Sequence, residues 1–144
     1  QVIGKTRDVV VIGFGNSELE DILKRHAEAQ GRIIVPEPTP ENGFYYRSDH
    51  FNFALAGVPS LYPKNGIDHV EKGEAYGRQV AADYVAKAYH KPADDYDPNW
   101  DLSGNVQDTE LLFAVAREIA DGDAFPITNE APQCSSARDT MRKQ

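Results

Sequence analysis

The chain has 144 residues, 40% hydrophobic and 26% charged, with a formal net charge of −8; this is the length of one domain and the composition of an ordinary globular protein with a core to bury. No Lys/Arg cluster exceeds two neighbours, which argues against a nucleic-acid-binding face and lends no support to an anionic membrane surface. No apolar run approaches the roughly 20 residues of a spanning helix, no signal peptide is visible, and the single Cys134 excludes an internal disulfide framework or a Cys-based zinc site. The opening Gln1-Val2-Ile3 carries no Met, and the expectation is a chain that starts inside a longer protein.

Asp8 to Phe14 is a continuous β-branched run, the pattern of a strand buried on both faces. A turn at Gly13–Asn16 follows, and Ser17 with Glu20 forms a capping-box pattern that opens a helix. Leu19, Ile22, Leu23 and His26 give that helix one buried stripe, and Gly31 stops it at a C′ position. Arg32 to Val35 reads as a second strand, and the proline-rich stretch from Pro36 to Gly43 as a loop. Ser48 is placed to cap a short helix with Phe51, Ala54 and Leu55 facing inward, ended by Gly57. Ser60-Leu61-Tyr62 is a short third strand, and Asn65 to Gly73 a loop carrying His69.

Ala75 to Tyr89 reads as a helix with Tyr76, Val80, Tyr84 and Ala88 along one edge. An acidic, turn-rich connection from Pro92 to Asp101 leads to a last helix opened near Asn105 and Asp108. Its stripe is Leu112, Val115, Ala116 and Ile119, and Gly122 closes it. The expected domain therefore spans residues 1–125, with a polar, loose tail over 126–144. Strands alternating with helices imply an α/β protein, three-layered as helix–sheet–helix with a mostly parallel or mixed sheet. About three strands make a thin sheet for two covering layers, so the fold is expected to be present only in part.

Two runs concentrate the reactive groups. Phe44 to Leu61 holds Tyr45, Tyr46, Arg47, Asp49 and His50 just before an apolar segment, and Tyr89-His90-Lys91-Pro92-Ala93-Asp94 follows the long helix. Gly13-Phe14-Gly15 invites a dinucleotide reading, but the third glycine of that fingerprint would fall on Glu18, whose charge repels a pyrophosphate. His26 reads as a core or boundary histidine, His69 as a solvated loop residue, and Asp94, Asp95 and Asp97 as a solvated acidic loop without calcium spacing. For His90 the residues leave two readings open. It follows a helix end, with Asp94 near enough in sequence to accept its other ring N–H, as beside a metal ligand; it is equally a structural helix-cap histidine.

Tyr45-Tyr46-Arg47-Ser48-Asp49-His50-Phe51 running on to Gly57-Val58-Pro59, then Tyr89-His90-Lys91-Pro92-Ala93-Asp94 some thirty residues later, resembles the C-terminal part of the dinuclear zinc aminopeptidases. That family includes bacterial leucyl aminopeptidases, glutamate carboxypeptidase and glutaminyl cyclases. The stretch from Val9 to Glu20 is similar to the family's approach to this segment, so the resemblance covers roughly residues 8 to 95. It implies a peptidase in which two zinc ions hold a bridging hydroxide against the scissile carbonyl and a glutamate serves as general base. By the same resemblance His90 is the last metal ligand, Tyr45 the oxyanion-stabilising phenol, Tyr89 a second candidate for that role, and Asp94 the acceptor behind the histidine. Asp49 and His50 are then braces of the site loop.

The family's first metal histidine with its bridging aspartate, its Glu-Glu pair and its next ligand aspartate have no counterpart here. The resemblance places them in a region before Gln1. One histidine cannot hold two zinc ions, each of which needs about four ligands counting solvent. The expected function is thus a fragment of a zinc aminopeptidase acting on peptides, inactive alone, with at most weak or partial zinc binding. The alternative is a non-catalytic interaction domain with a degenerate peptidase fold, its acidic loop serving a partner. No nucleic-acid partner and no membrane span are expected, self-association through an exposed sheet edge is, and the family's habits point to a periplasmic or extracellular location.

Overall fold

The computed structural model describes residues 2–129. Strand β1 (Asp8–Ile12) is followed by helix α1 (Leu19–Ala29), strand β2 (Ile33–Pro36), two 3-10 turns (Pro40–Asn42 and Phe44–Arg47) and the short helix α2 (His50–Leu55). Strand β3 (Tyr62–Asn65) and helices α3 (Gly73–Lys87) and α4 (Ser103–Asp121) complete the order. The β-branched run makes β1 because it is the middle strand and is buried at all of its positions. β2 pairs with it in parallel, Val10 opposite Val35, and β3 antiparallel, Val10 opposite Lys64. The result is a small mixed sheet with helices, a partial α/β fold. No helix among the described residues is long and apolar enough to cross a membrane.

The core lies on one face of the sheet, where Val9 and Val11 meet Ile22, Leu23 and Ala27 of α1 and Leu111 and Val115 of α4. Each such large apolar side chain contributes about 1.5–3 kcal/mol on leaving water. α1 starts two residues after Ser17, whose hydroxyl accepts from the Leu19 N–H at 3.1 Å. It ends where Gly31, at φ +73°, turns its N–H back to the Glu28 carbonyl, a conformation that glycine adopts without strain.

Several expectations shift. The third strand begins at Tyr62 rather than Ser60, because the Ser60 hydroxyl lies within reach of the His50 and Val58 carbonyls and stays in the exit of α2. Ser48 makes no side-chain cap; α2 begins after Asp49, with the Phe51 N–H bonded to the Ser48 backbone carbonyl. Of the residues expected to face inward on α2, Ala54 is buried and Leu55 is exposed. The buried stripe of α4 is Leu111 and Val115 flanked by Ile119, while Leu112 and Phe113 face outward. Its rotation is fixed at the first turn, where a methyl added to Gly104 would sit 1.8 Å from the Gly4 carbonyl oxygen, a closeness that only glycine allows. α3 keeps its expected edge, with Tyr76, Val80, Tyr84 and Ala88 half-buried.

The stretch expected to be loose from Pro126 is bound at its start. Ile127 and Glu18 exchange two bonds (Glu18 N–H to the Ile127 carbonyl, 3.0 Å; Ile127 N–H to the Glu18 carboxylate, 2.9 Å), and Thr128 bridges Ser17. Residues 130–144, the rest of that tail, lie outside the described residues.

Candidate functional site

The turn between β1 and α1 is the foundation of the first group of site residues. Gly13 and Gly15 take φ of +70° and +95°, values open to glycine at no steric cost. The Glu20 carboxylate reaches back from the first turn of α1 to accept from the Gly15 N–H (2.8 and 2.9 Å) and the Asn16 N–H (3.0 Å). The capping pattern of Ser17 and Glu20 thus does its work on the turn preceding it. Those amides are the ones a phosphate would need, and a carboxylate already occupies them, which removes the dinucleotide reading on firmer ground than Glu18.

Tyr45, on the second 3-10 turn, lays its ring on Gly13: a methyl there would lie 2.2 Å from Tyr45 Cδ2 and 2.8 Å from Asn16 Nδ2. Around that ring stand Tyr46 at 5.4 Å, Phe51 at 5.7 Å and His50 at 4.8 Å between centroids, all edge-to-face, the arrangement that aromatic quadrupoles favour. His50 also meets the ring of Tyr62 at 4.9 Å, tying α2 to the start of β3. Both His50 ring nitrogens are buried with no hydrogen-bond partner among the described residues. Burial pushes its pKa down, and the neighbouring Asp49 charge opposes this more weakly. His50 thus meets its surroundings through ring contacts alone, whereas Asp49 is exposed and makes no side-chain cap.

The second group stands at the far end of α3. His90 has φ +56° and is exposed, a left-handed conformation that histidine tolerates better than most residues but still adopts rarely. Tyr89 packs edge-on against it at 4.1 Å and meets Tyr84 at 5.7 Å. Asp94 does turn back, but its carboxylate accepts from the Tyr84 hydroxyl at 3.0 Å rather than from His90. That bond raises the Tyr84 pKa. Tyr84 lies in the last turn of α3, and its hydroxyl, rather than the exposed His90 ring, meets the Asp94 carboxylate. The two ring clusters, one around Tyr45 and His50 and the other around Tyr89 and His90, share no member.

Among the described residues no group of three or more His, Cys, Asp or Glu could hold a metal ion. With His90 exposed and Asp94 engaged by Tyr84, these residues do not fit a two-ion centre. An apolar depression of about 500 Å³ lined by Leu19, Pro59, Ile119 and Phe125 contains none of the residues singled out above.

His69 corrects the reading of a solvated loop histidine. It is buried, and its Nδ1 accepts from the Glu71 and Lys72 N–H groups, both at 3.1 Å, in the turn just before α3. The only hint in the sequence was its place just before a glycine-started helix. His26 is the boundary histidine expected, 2.7 Å from Glu118 of α4.

Comparison with known proteins gives one match. The family model described as peptidase family M28 matches residues 2–114, a span that includes both ring clusters. No curated protein and no solved structure matches the chain.

Proposed function

Because the chain belongs to peptidase family M28, we propose that it is part of a zinc-dependent aminopeptidase and that peptide hydrolysis needs metal donors it does not itself contain. His90 is the one metal-ligating residue it supplies. Tyr45 supplies a phenol O–H for the oxyanion of the attacked carbonyl, the kind of fixed donor that is worth most where water is excluded. Tyr89, against His90, is the second candidate for that role. Asp49 and His50 hold the segment that carries Tyr45, and Asp94 acts on His90 through Tyr84 and Tyr89 rather than by direct contact.

The observation that carries this reading is the family match over residues 2–114, a span that includes Tyr45, His50, Tyr89 and His90. The lack of a three-donor cluster among the described residues supports the second half of it. A non-catalytic domain of the same fold would share that lack, so the two readings part on metal chemistry.

The test has two arms. Zinc titration of the 144-residue chain by calorimetry, with leucine p-nitroanilide hydrolysis alongside, should give neither tight binding of two ions nor turnover. Two tightly bound ions would overturn the proposal. In the longer protein that carries the remaining donors, His90→Ala should lose metal and activity together. Retention of both would remove His90 as a ligand, and a longer protein with neither bound metal nor activity would leave the interaction domain as the better reading.

A further inference from the structure

Asn129 lies outside the residues matched by the family, yet it closes the turn on which Tyr45 rests. Its side-chain Nδ2 donates to the Gly15 carbonyl and its backbone N–H to the Asn16 carbonyl, both at 2.9 Å. Glu20 takes the N–H groups of the same two residues. All four backbone polar groups of Gly15 and Asn16 are thereby held, the donors from α1 and the acceptors from Asn129. A turn with two positive-φ glycines has more conformations open to it than any other, so its single shape is imposed by these two clamps.

The shape matters because Tyr45 has no room to spare. Its ring lies where a Gly13 side chain would be, bordered by the Asn16 amide. Asn16 Nδ2 borders the place that the ring fills, so a change of shape in the Gly15–Asn16 turn removes one wall of its seat. We propose that Asn129 is a positioning residue for Tyr45, acting through the Gly13–Asn16 turn. Its consequence for catalysis rests on the reading of Tyr45 given above; the seating of the ring does not.

The experiment uses Asn129→Ala and the near-isosteric Asn129→Asp, which cannot donate to the Gly15 carbonyl. In the 144-residue chain, amide exchange at Gly15 and Asn16 should accelerate by about tenfold as the turn opens locally. The nuclear Overhauser contact between the Tyr45 ring and the Gly13 Hα should be lost, with the far core at Leu23 and Val115 unchanged. In the longer active protein the same substitutions should lower kcat by about tenfold, with KM and metal content kept. An unchanged Tyr45–Gly13 contact in both variants would overturn the inference, as would an unchanged kcat where Tyr45→Phe itself lowers kcat. If Tyr45→Phe leaves kcat unaltered while the ring contact is still lost, the seating stands and the catalytic reading of Tyr45 falls.

Discussion

Arg32 Nη2 lies 2.7 Å from Asp108 Oδ1 with the guanidinium almost fully buried, yet its N–H bonds are directed elsewhere, to Thr6 Oγ1 at 3.0 Å and the Asp8 carbonyl at 2.8 Å. The contact with Asp108 is one of charge rather than of hydrogen-bond direction. Asp108 in turn accepts from Asn65 Nδ2 at 2.9 Å, so one ion pair ties the entry of β2, β1, the end of β3 and α4 into a single polar knot. Buried charges need such partners, because an isolated one would cost several kcal/mol.

Removing Arg32 takes the counter-charge from Asp108 and a donor from both Thr6 Oγ1 and the Asp8 carbonyl at once. Arg32→Ala should lower stability by about 3–5 kcal/mol. Asp108→Asn keeps an acceptor for Asn65 but leaves the buried guanidinium without its counter-charge, so it should cost about as much. Urea denaturation of the two variants checks this, and a loss under about 1 kcal/mol for either would show that the knot is peripheral.

Gly13 and Gly15 both have positive φ, but only Gly13 has a neighbour where a side chain would go; nothing stands within 4 Å at Gly15. Gly15→Ala should therefore cost only backbone strain, about 1–2 kcal/mol. Gly13→Ala adds the collision with Tyr45 and should exceed it by about 1 kcal/mol or more. Equal losses in thermal or urea unfolding would mean that the ring moves aside freely.

Stability should depend on pH through His50. Its folded pKa is lowered by burial, the Asp49 charge opposing, so folding prefers the neutral ring. Between the lowered value and the ordinary value near 6.5 the unfolded chain binds more protons, and the stability to unfolding rises with pH across that window. Its contribution is intact above about pH 6.5 and is lost as pH falls towards the folded value. His50→Phe keeps the ring contacts with Tyr45 and Tyr62 and should flatten this part of the profile. Urea midpoints from pH 8 to 5 for both proteins decide it; parallel profiles would remove His50 as the cause.

Much of the frame was legible because local signals were strong. The β-branched run from Val9 to Ile12 could only be a buried strand, and Gly31 marked the end of α1 by the conformation it supplies. The misreadings came where long-range contacts outweigh the local pattern. α4 has apolar residues on more than one side, so its inward face was decided by Gly104 meeting Gly4, a pairing no window of sequence contains. His69 looks solvated because its neighbours include Gly and Asp, but the Glu71 and Lys72 N–H groups of the turn before α3 claim its ring nitrogen. The site is legible as residue types and not as partnerships: spacing alone puts Asp94 with His90, four residues away, whereas its partner is Tyr84 in the last turn of α3. Asn129 gave no signal at all, since its partners are more than a hundred residues back along the chain.

That Gly104 seats on the Gly4 carbonyl, and that the Thr6 N–H bonds to Gln107 Oε1 across 101 residues, also governs the order of assembly. β1 is synthesised well before α4, whose Leu111 and Val115 complete the core over Val9 and Val11, so it waits for that helix. Contacts of such separation slow folding, and in the interval α1 alone covers the apolar face of β1, a half-covered core open to other nascent chains. A chaperone that shields Val9 to Ile12 until α4 has emerged would raise the yield of folded protein without altering its final stability.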